Sequence, residues 1–405
     1  MNRPLDGIRV LDLSRVLAGP WCTQLLADMG ADVIKIERPE VGDDTRHWGP
    51  PWHESGDEKA AAYFLSANRG KRSAAIDFAR QEGADLVRKL AAQSDVVVEN
   101  FKVGGLAKFG LDATSLREAN PRLIVASITG FGQDGPYADR AGYDFIIQGM
   151  GGMMSVTGLP DGEPGGGPMR AGVAIADIFT GMYASSAILA ALVRRGVSGE
   201  GAHIDLALLD TQLAVLANQA SNYLVGGEDP PRQGNTHPNI VPYQPFMAAD
   251  QPIIIAVGND RQFQRLAEIL GSPEWASNPV YATNAARVAN RAPLVQHIRQ
   301  AIATKPAAHW LEALEQAGIP AGPINLISQA LADPQSVHRG TAKTLGGGRL
   351  GDVPTVGSPI RFDGKRADAP LPPPALGEHS DVVLKEMLGL SVAEIKRLRT
   401  EGIVG

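Results

Sequence analysis

Short apolar runs alternate with stretches of helical spacing through the first half of the chain. Ile8–Leu13 predicts a strand, 19–29 a helix opened by Gly19-Pro20, and Asp32–Glu37 a second strand. Strand, helix and strand at this spacing form a βαβ unit, which crosses over right-handed into a parallel sheet. The pattern repeats: 73–78 predicts a strand, Glu82–Gln93 a helix, and Asp95–Glu99 and Leu123–Ser127 two further strands. Their nearly unbroken apolar character fits strands buried on both faces. The expected fold class is α/β, a doubly wound, Rossmann-like parallel sheet with ligands at the carboxyl ends of its strands.

Past residue 200 the pattern changes. A short strand over 202–206 leads into one long predicted helix, Leu208–Tyr223, and a polar, Gly/Pro-punctuated segment over 226–242 marks a boundary. Residues 243–257 predict a hairpin turning at Ala249-Asp250-Gln251-Pro252, followed by helices near 260–270, 285–303 and 307–317. These make a small α+β domain. Residues 343–362 predict an antiparallel hairpin, Leu371-Pro372-Pro373-Pro374 a stiff connector, and two short helices close the chain. The expected division is 1–200 for a large domain, 201–235 for a linker, 236–320 for the small domain, and 321–405 for a return to the large one. Between strands two and three, 39–60 is irregular and rich in Pro, Gly and charge, the mark of a functional or partner-contacting loop.

One stretch stands apart. Glycines at 149, 151, 152, 158, 162, 165, 166, 167 and 172 lead to Asp177, which opens a largely apolar helix ending near Arg194-Arg195. Read locally, Asp177 is an N-cap, since Asp is a preferred residue there. It could equally be a carboxylate delivered to a ligand by a flexible loop, held ionised by the helix start.

Composition narrows the field. The chain has 405 residues, 44% of them hydrophobic, which suits a globular protein of two or three domains. A net charge of −6 leaves no polybasic footprint for nucleic acid or an anionic membrane surface. The single cysteine, Cys22, allows no intrachain disulfide, and the N-terminus has no apolar signal core. A cytoplasmic protein with no membrane or nucleic-acid partner is expected. The first βα turn, Ser14–Pro20, lacks the dinucleotide glycine fingerprint, and there is no phosphate-binding Walker loop, nucleophile elbow or convincing metal-ligand cluster. No metal is expected.

Several segments, taken together, resemble the family III CoA-transferases of the CaiB/BaiF type. They are Pro4–Asp12, Ala18-Gly19-Pro20, Gly30–Glu37, Gly42-Asp43-Asp44-Thr45-Arg46, Val98-Glu99-Asn100-Phe101, Ser127–Gly132 and Gly377-Glu378-His379. The resemblance implies that Asp177 is the catalytic carboxylate, acylated by a donor thioester and then carried through an aspartyl-CoA thioester. It implies coenzyme A as co-substrate with no permanently bound cofactor, and an interlocked homodimer. By the same resemblance, CoA contacts fall on Val16, Arg38, Ile76, Asn100, Phe101, Lys108 and Arg140. A dicarboxylate acceptor, of the kind handled by the succinyl-CoA:glutarate branch, needs a cation for its distal carboxylate; Arg46, Arg170 and His237 are candidates, with Tyr143 beside the site. Racemases of the same fold carry a Gly-His-Asp motif where this chain reads Gly142-Tyr143-Asp144, and tyrosine is a poor base at neutral pH. A 2-methylacyl-CoA racemase, an NAD(P)-dependent dehydrogenase and a non-catalytic acyl-CoA binding subunit stay open as alternatives.

Overall fold

The computed structural model describes residues 3–405. Six parallel strands form the central sheet: β1 (Arg9–Asp12), β2 (Asp32–Glu37), β3 (Lys71–Ala75), β4 (Val96–Glu99), β5 (Ile124–Thr129) and β6 (Ala202–Ala207). Their order is β3-β2-β1-β4-β5-β6. The order reverses between β1 and β4, so a crevice opens at their carboxyl ends, where open α/β sheets bind ligands.

Neighbouring residues on each strand feed two cores, because alternate side chains point to opposite faces. Leu11, Ile34 and Val97 join Leu86 and Leu90 on one face. Val10, Val33 and Val98 join Leu26, Ala184 and Ile188 on the other. The first face is sealed by helix α2 (Gln81–Ala92) and by the last two helices of the chain, which contribute Val383, Leu384 and Leu398. The Pro-rich tail therefore packs back onto the large unit.

The second face is covered by α1 (Ala18–Asp28) and the long helix Ile175–Ser198. A Cβ on Gly181 would lie 2.6 Å from the Ala18 carbonyl oxygen, so only glycine permits this approach. By length and composition Ile175–Ser198 is apolar enough to cross a membrane, but Ala176, Thr180, Ala184, Ile188 and Ala191 are buried along one stripe, as in a core helix.

The chain divides into two compact units, 1–153 with 171–225 and 334–405, and 154–170 with 226–333. The second carries an antiparallel sheet of Tyr243–Met247, Pro252–Ala256 and Ala321–Pro323, with Phe246, Phe263 and Trp310 in its core. These units divide the chain at other points than expected. Residues 154–170 belong to the second unit because Gly234 N–H donates to Gly158 O at 2.9 Å and Arg232 pairs with Asp161. Residues 321–333 stay with it because 321–323 supply its third strand.

Two expected helices are split. Leu208–Tyr223 is broken into Leu208–Val215 and Asn218–Gly226, with Ala217 at φ +48 between them. Helix 285–303 is Asn284–Ala289 and Arg291–Ile302, interrupted at Asn290. The 39–60 loop holds a short 3-10 turn, Asp44–His47, and a hairpin of Trp52–Ser55 with Glu58–Ala61.

Candidate active site

The turn leaving β1 is strained. Val16 has φ +68, which β-branched residues rarely adopt. Buried charges hold it there. The Val16 N–H donates to both Asp43 carboxylate oxygens at 3.3 Å. Lys35 pairs with Asp43 at 2.9 Å and donates to the Ser14 carbonyl at 2.8 Å. Asp12 accepts from Ser14, Thr23 and, at 3.0 Å, the Lys71 ammonium. Burial alone would protonate these acids, but their partners outweigh it: Asp43 is held below the usual carboxylate range by Lys35 and the Thr45 N–H, and Asp12 by Lys71 and Lys35. Burial lowers the Lys71 ammonium to about 8 even with Asp12 beside it. Across the sheet reversal, Arg15 N–H donates to Asn100 Oδ1 at 2.8 Å and Asn100 Nδ2 returns a bond to Arg15 O at 2.7 Å. The product of this bracing is a fixed start for α1. Its N-cap, Leu17, offers no side-chain acceptor, so the first N–H groups of that helix are available to a ligand and favour negative charge.

Asp177 does not cap its helix. The helix begins at Ile175, and Asp177 is its third residue. The cap comes from Asp144, the first residue of the helix Asp144–Met150. Asp144 Oδ1 accepts from the N–H of Ala176 at 2.9 Å and of Asp177 at 3.4 Å. Its Oδ2 accepts from Gln148 Nε2 at 2.7 Å, and the buried Gln148 turns its Oε1 to the Ala171 N–H at 2.9 Å. Among the described residues the Asp177 carboxylate has neither a hydrogen bond nor an ion pair. Burial, and then the Asp144 charge, push it up to about 7. The Tyr63 hydroxyl, pushed up to about 12 by burial and by Asp177, Asp144 and Asp43, stays protonated near it.

Asp177 lines a cavity of about 410 Å³ together with Val16, Leu17, Ala18 and Tyr143, and with the cations Arg15, Lys102 and Arg140. Asn100 and Phe101 also line it. A second cavity of about 380 Å³ is a slot with Ile76, Phe78 and Phe101 in its wall, and with Arg38, Asp44 and Asp77 among the charged residues that line it. Arg15 and Phe101 border both. Phe101 packs edge-on against Phe78 at 5.8 Å, with the Arg15 guanidinium 5.3 Å from its ring.

The structure thus brings Val16, Asn100, Phe101, Arg140 and Tyr143 to Asp177, and Arg38 and Ile76 to the adjoining slot. Two expectations change. Lys108 is exposed, its ammonium 4.8 Å from the Phe109 ring, and lines neither cavity; Lys102 lines the Asp177 cavity instead. That lysine directly follows Glu99-Asn100-Phe101, so the signal was there to read. Arg46 is buried and spent: it donates to both Glu37 oxygens at 2.8 and 2.7 Å and to Pro374 O at 3.1 Å, and stacks 3.7 Å over Phe64. It is a brace rather than a receptor for a substrate carboxylate. Arg170 and His237 lie in the second unit. His237 accepts the Asn239 N–H on Nδ1 at 3.1 Å, which leaves the proton on Nε2, and burial, helped by Arg291, holds it below the usual imidazole range.

The unpaired Asp177 carboxylate thus stands at the ligand crevice of a doubly wound sheet, in a cavity that Arg15, Lys102 and Arg140 also line. The sequence model described as CoA-transferase family III matches residues 5–380, so the chain belongs to that family and is a CoA-transferase. It is 55% identical over 391 residues to the succinate–glutarate CoA-transferase of Agrobacterium fabrum, covering 95% of this chain and 96% of that one. It is 40% identical to the succinyl-CoA:glutarate CoA-transferase of Homo sapiens, over 99% of this chain and 90% of the other. A crystal structure of a CaiB/BaiF family protein from Brucella suis superimposes with a TM-score of 0.84 at 51% identity, covering 96% of this chain and all of that one.

Proposed function

We propose that this enzyme moves CoA from succinyl-CoA to glutarate or a similar dicarboxylate, with Asp177 as the nucleophile. The observation that carries the reading is the Asp177 carboxylate itself, unpaired, partly buried and raised to about 7 in a cavity lined by cations. Asp177 attacks the thioester carbonyl, forming a C–O bond; the C–S bond breaks, CoA leaves as the thiolate, and a mixed anhydride remains on Asp177. The thiolate attacks the aspartyl carbonyl, giving an aspartyl-CoA thioester and the free donor acid, and the acceptor carboxylate runs the steps in reverse. Exchange between two carboxylic acids is nearly isoenergetic, so no ATP is required. The α1 N-terminus, with Leu17 and Ala18 lining the Asp177 cavity, supplies N–H donors for the oxyanion of each tetrahedral step. Arg15, Lys102 and Arg140 meet the CoA phosphates, and Arg38 with the slot at Ile76 and Phe78 takes the adenine end.

Tyr143, 62% exposed, occupies the position that supplies the histidine base in the racemases, which speaks for transfer over proton abstraction. The working form is a homodimer, interlocked as in the family. Exposed apolar side chains on the large unit, Phe145, Ile146, Met182, Tyr183, Leu224 and Val225, support an extensive partner surface; light scattering at the mass of one chain would count against it. A matrix of CoA donors against carboxylic acids, read by mass spectrometry, tests the function. Succinyl-CoA with glutarate is expected among the most active pairs, and Asp177→Ala should abolish every exchange. Exchange surviving in Asp177→Ala would remove the assignment.

A further inference from the structure

The two helix N–H groups need only one oxygen, Asp144 Oδ1, which Asn or Ser would supply equally at a helix start. The chain instead places a second acid there. All the donors to Asp144, two backbone N–H groups and the Gln148 amide, are neutral, so nothing bonded to it cancels its charge. We infer that Asp144 is a positioning residue for CoA transfer: it fixes the start of the Asp177 helix and holds a negative charge against the nucleophile, a repulsion relieved when Asp177 is acylated. This rests on the reading of Asp177 as nucleophile.

The chemistry gives the charge a purpose. In the free enzyme two carboxylates crowd the same helix terminus. When an Asp177 oxygen bonds to the acyl carbon and the C–S bond breaks, the electron pair leaves with CoA thiolate and Asp177 becomes a neutral anhydride. The later aspartyl-CoA thioester is neutral as well. Repulsion from Asp144 therefore raises the free carboxylate relative to both covalent intermediates. That is ground-state destabilisation with a defined source, and it also keeps the attacking oxygen basic. Geometry assists, because Gln148 ties the Asp144 cap to the Ala171 N–H and so couples the glycine-rich approach to the helix start.

Other groups also face Asp177. From the β1 turn comes Arg15, from the turn after β4 Lys102, and from the segment before Asp144 Arg140 and Tyr143; Asp44 lines the same cavity, and Tyr63 feels the charges of Asp177, Asp144 and Asp43. They remain in place in every variant below, so a change in pH dependence reports on residue 144.

The test uses the full-length enzyme with succinyl-CoA alone, following CoA thiol release and the mass of acylated protein between pH 5 and 9. Asp144→Asn keeps an oxygen acceptor for the two N–H groups and removes the charge. Its acid limb should move about one pH unit or more toward the ordinary carboxylate range, its acylation rate above the limb should fall roughly tenfold, and the KM for succinyl-CoA should stay within about twofold. Asp144→Glu restores the charge, and its acid limb should return close to the parent position even where its rate stays low. An Asn variant with the parent's limb and rate would overturn the inference. So would Asn and Glu variants slowed alike with unmoved limbs, since Asp144 would then act only as a cap. If an adduct formed in Asp177→Ala, the nucleophile assignment itself would fail; a normal Asp177 adduct with an unmoved Asp144→Asn profile sinks only the role of Asp144.

Discussion

Two groups of acids at the carboxyl end of the same sheet meet opposite fates. In the first, Asp12, Glu37 and Asp43 are buried, and each faces a cation: Lys71, Arg46 and Lys35 respectively. Desolvation is outweighed and all three stay ionised, Glu37 through Arg46 above all. In the second, Asp177 lies beside Asp144 and pairs with no cation among the described residues, and its carboxyl rises to about 7. Burial is shared; the partner differs. Paired acids make a rigid brace for the strained Val16 turn, whereas an unpaired acid beside a like charge becomes reactive.

Breaking the second group should have the largest effect on turnover. Asp177→Ala is expected to lower exchange by about three to six orders of magnitude while CoA binding, measured by calorimetry, persists. Breaking the first group should act on folding instead. Asp12→Ala leaves Lys71 uncompensated in the interior and should cost roughly 3–5 kcal/mol in urea unfolding.

The two groups also differ in the sign of their pH dependence. For Asp177, between about pH 4 and 7 the unfolded chain has lost its proton while the folded chain keeps it, so stability falls across that window and levels off above it. Asp177→Asn should therefore stabilise the protein above pH 7, by roughly 1–3 kcal/mol after allowing for partial exposure, and have no such effect near pH 4. For Asp12 and Asp43, lowered in the folded state, stability is present above the ordinary carboxylate range and is lost as pH falls through their folded values. Unfolding curves between pH 3 and 8 for Asp177→Asn and Asp12→Ala would show the opposite signs. A smaller effect is expected from Lys102→Ala, which should raise the KM for succinyl-CoA about tenfold at low salt and less at high salt, whereas Lys108→Ala should change it little.

The sheet was legible because strands buried on both faces are nearly continuous in apolar residues, as in Val96-Val97-Val98. Helix breaks were not. The helical period runs on through Ala217, with neither Gly nor Pro to mark the turn. The glycine-rich segment 154–170 has no apolar period, so nothing local assigns it to the second unit. At the site, Asp177 was visible as an acid after glycines at a helix start, but its capping partner lies 33 residues earlier, beyond any local reading. Arg46 shows the same blindness at shorter range: its charge was plain, while its pairing with Glu37 depends on the chain turning back at Gly42.

The pH dependence of acyl-enzyme formation tests the contrast most directly. Enzyme mixed with succinyl-CoA, quenched and digested, should carry a hydroxylamine-sensitive succinyl group on Asp177. Its rate of appearance should rise with pH through a midpoint near 7. An adduct on another residue, or a midpoint near 4, would contradict the account.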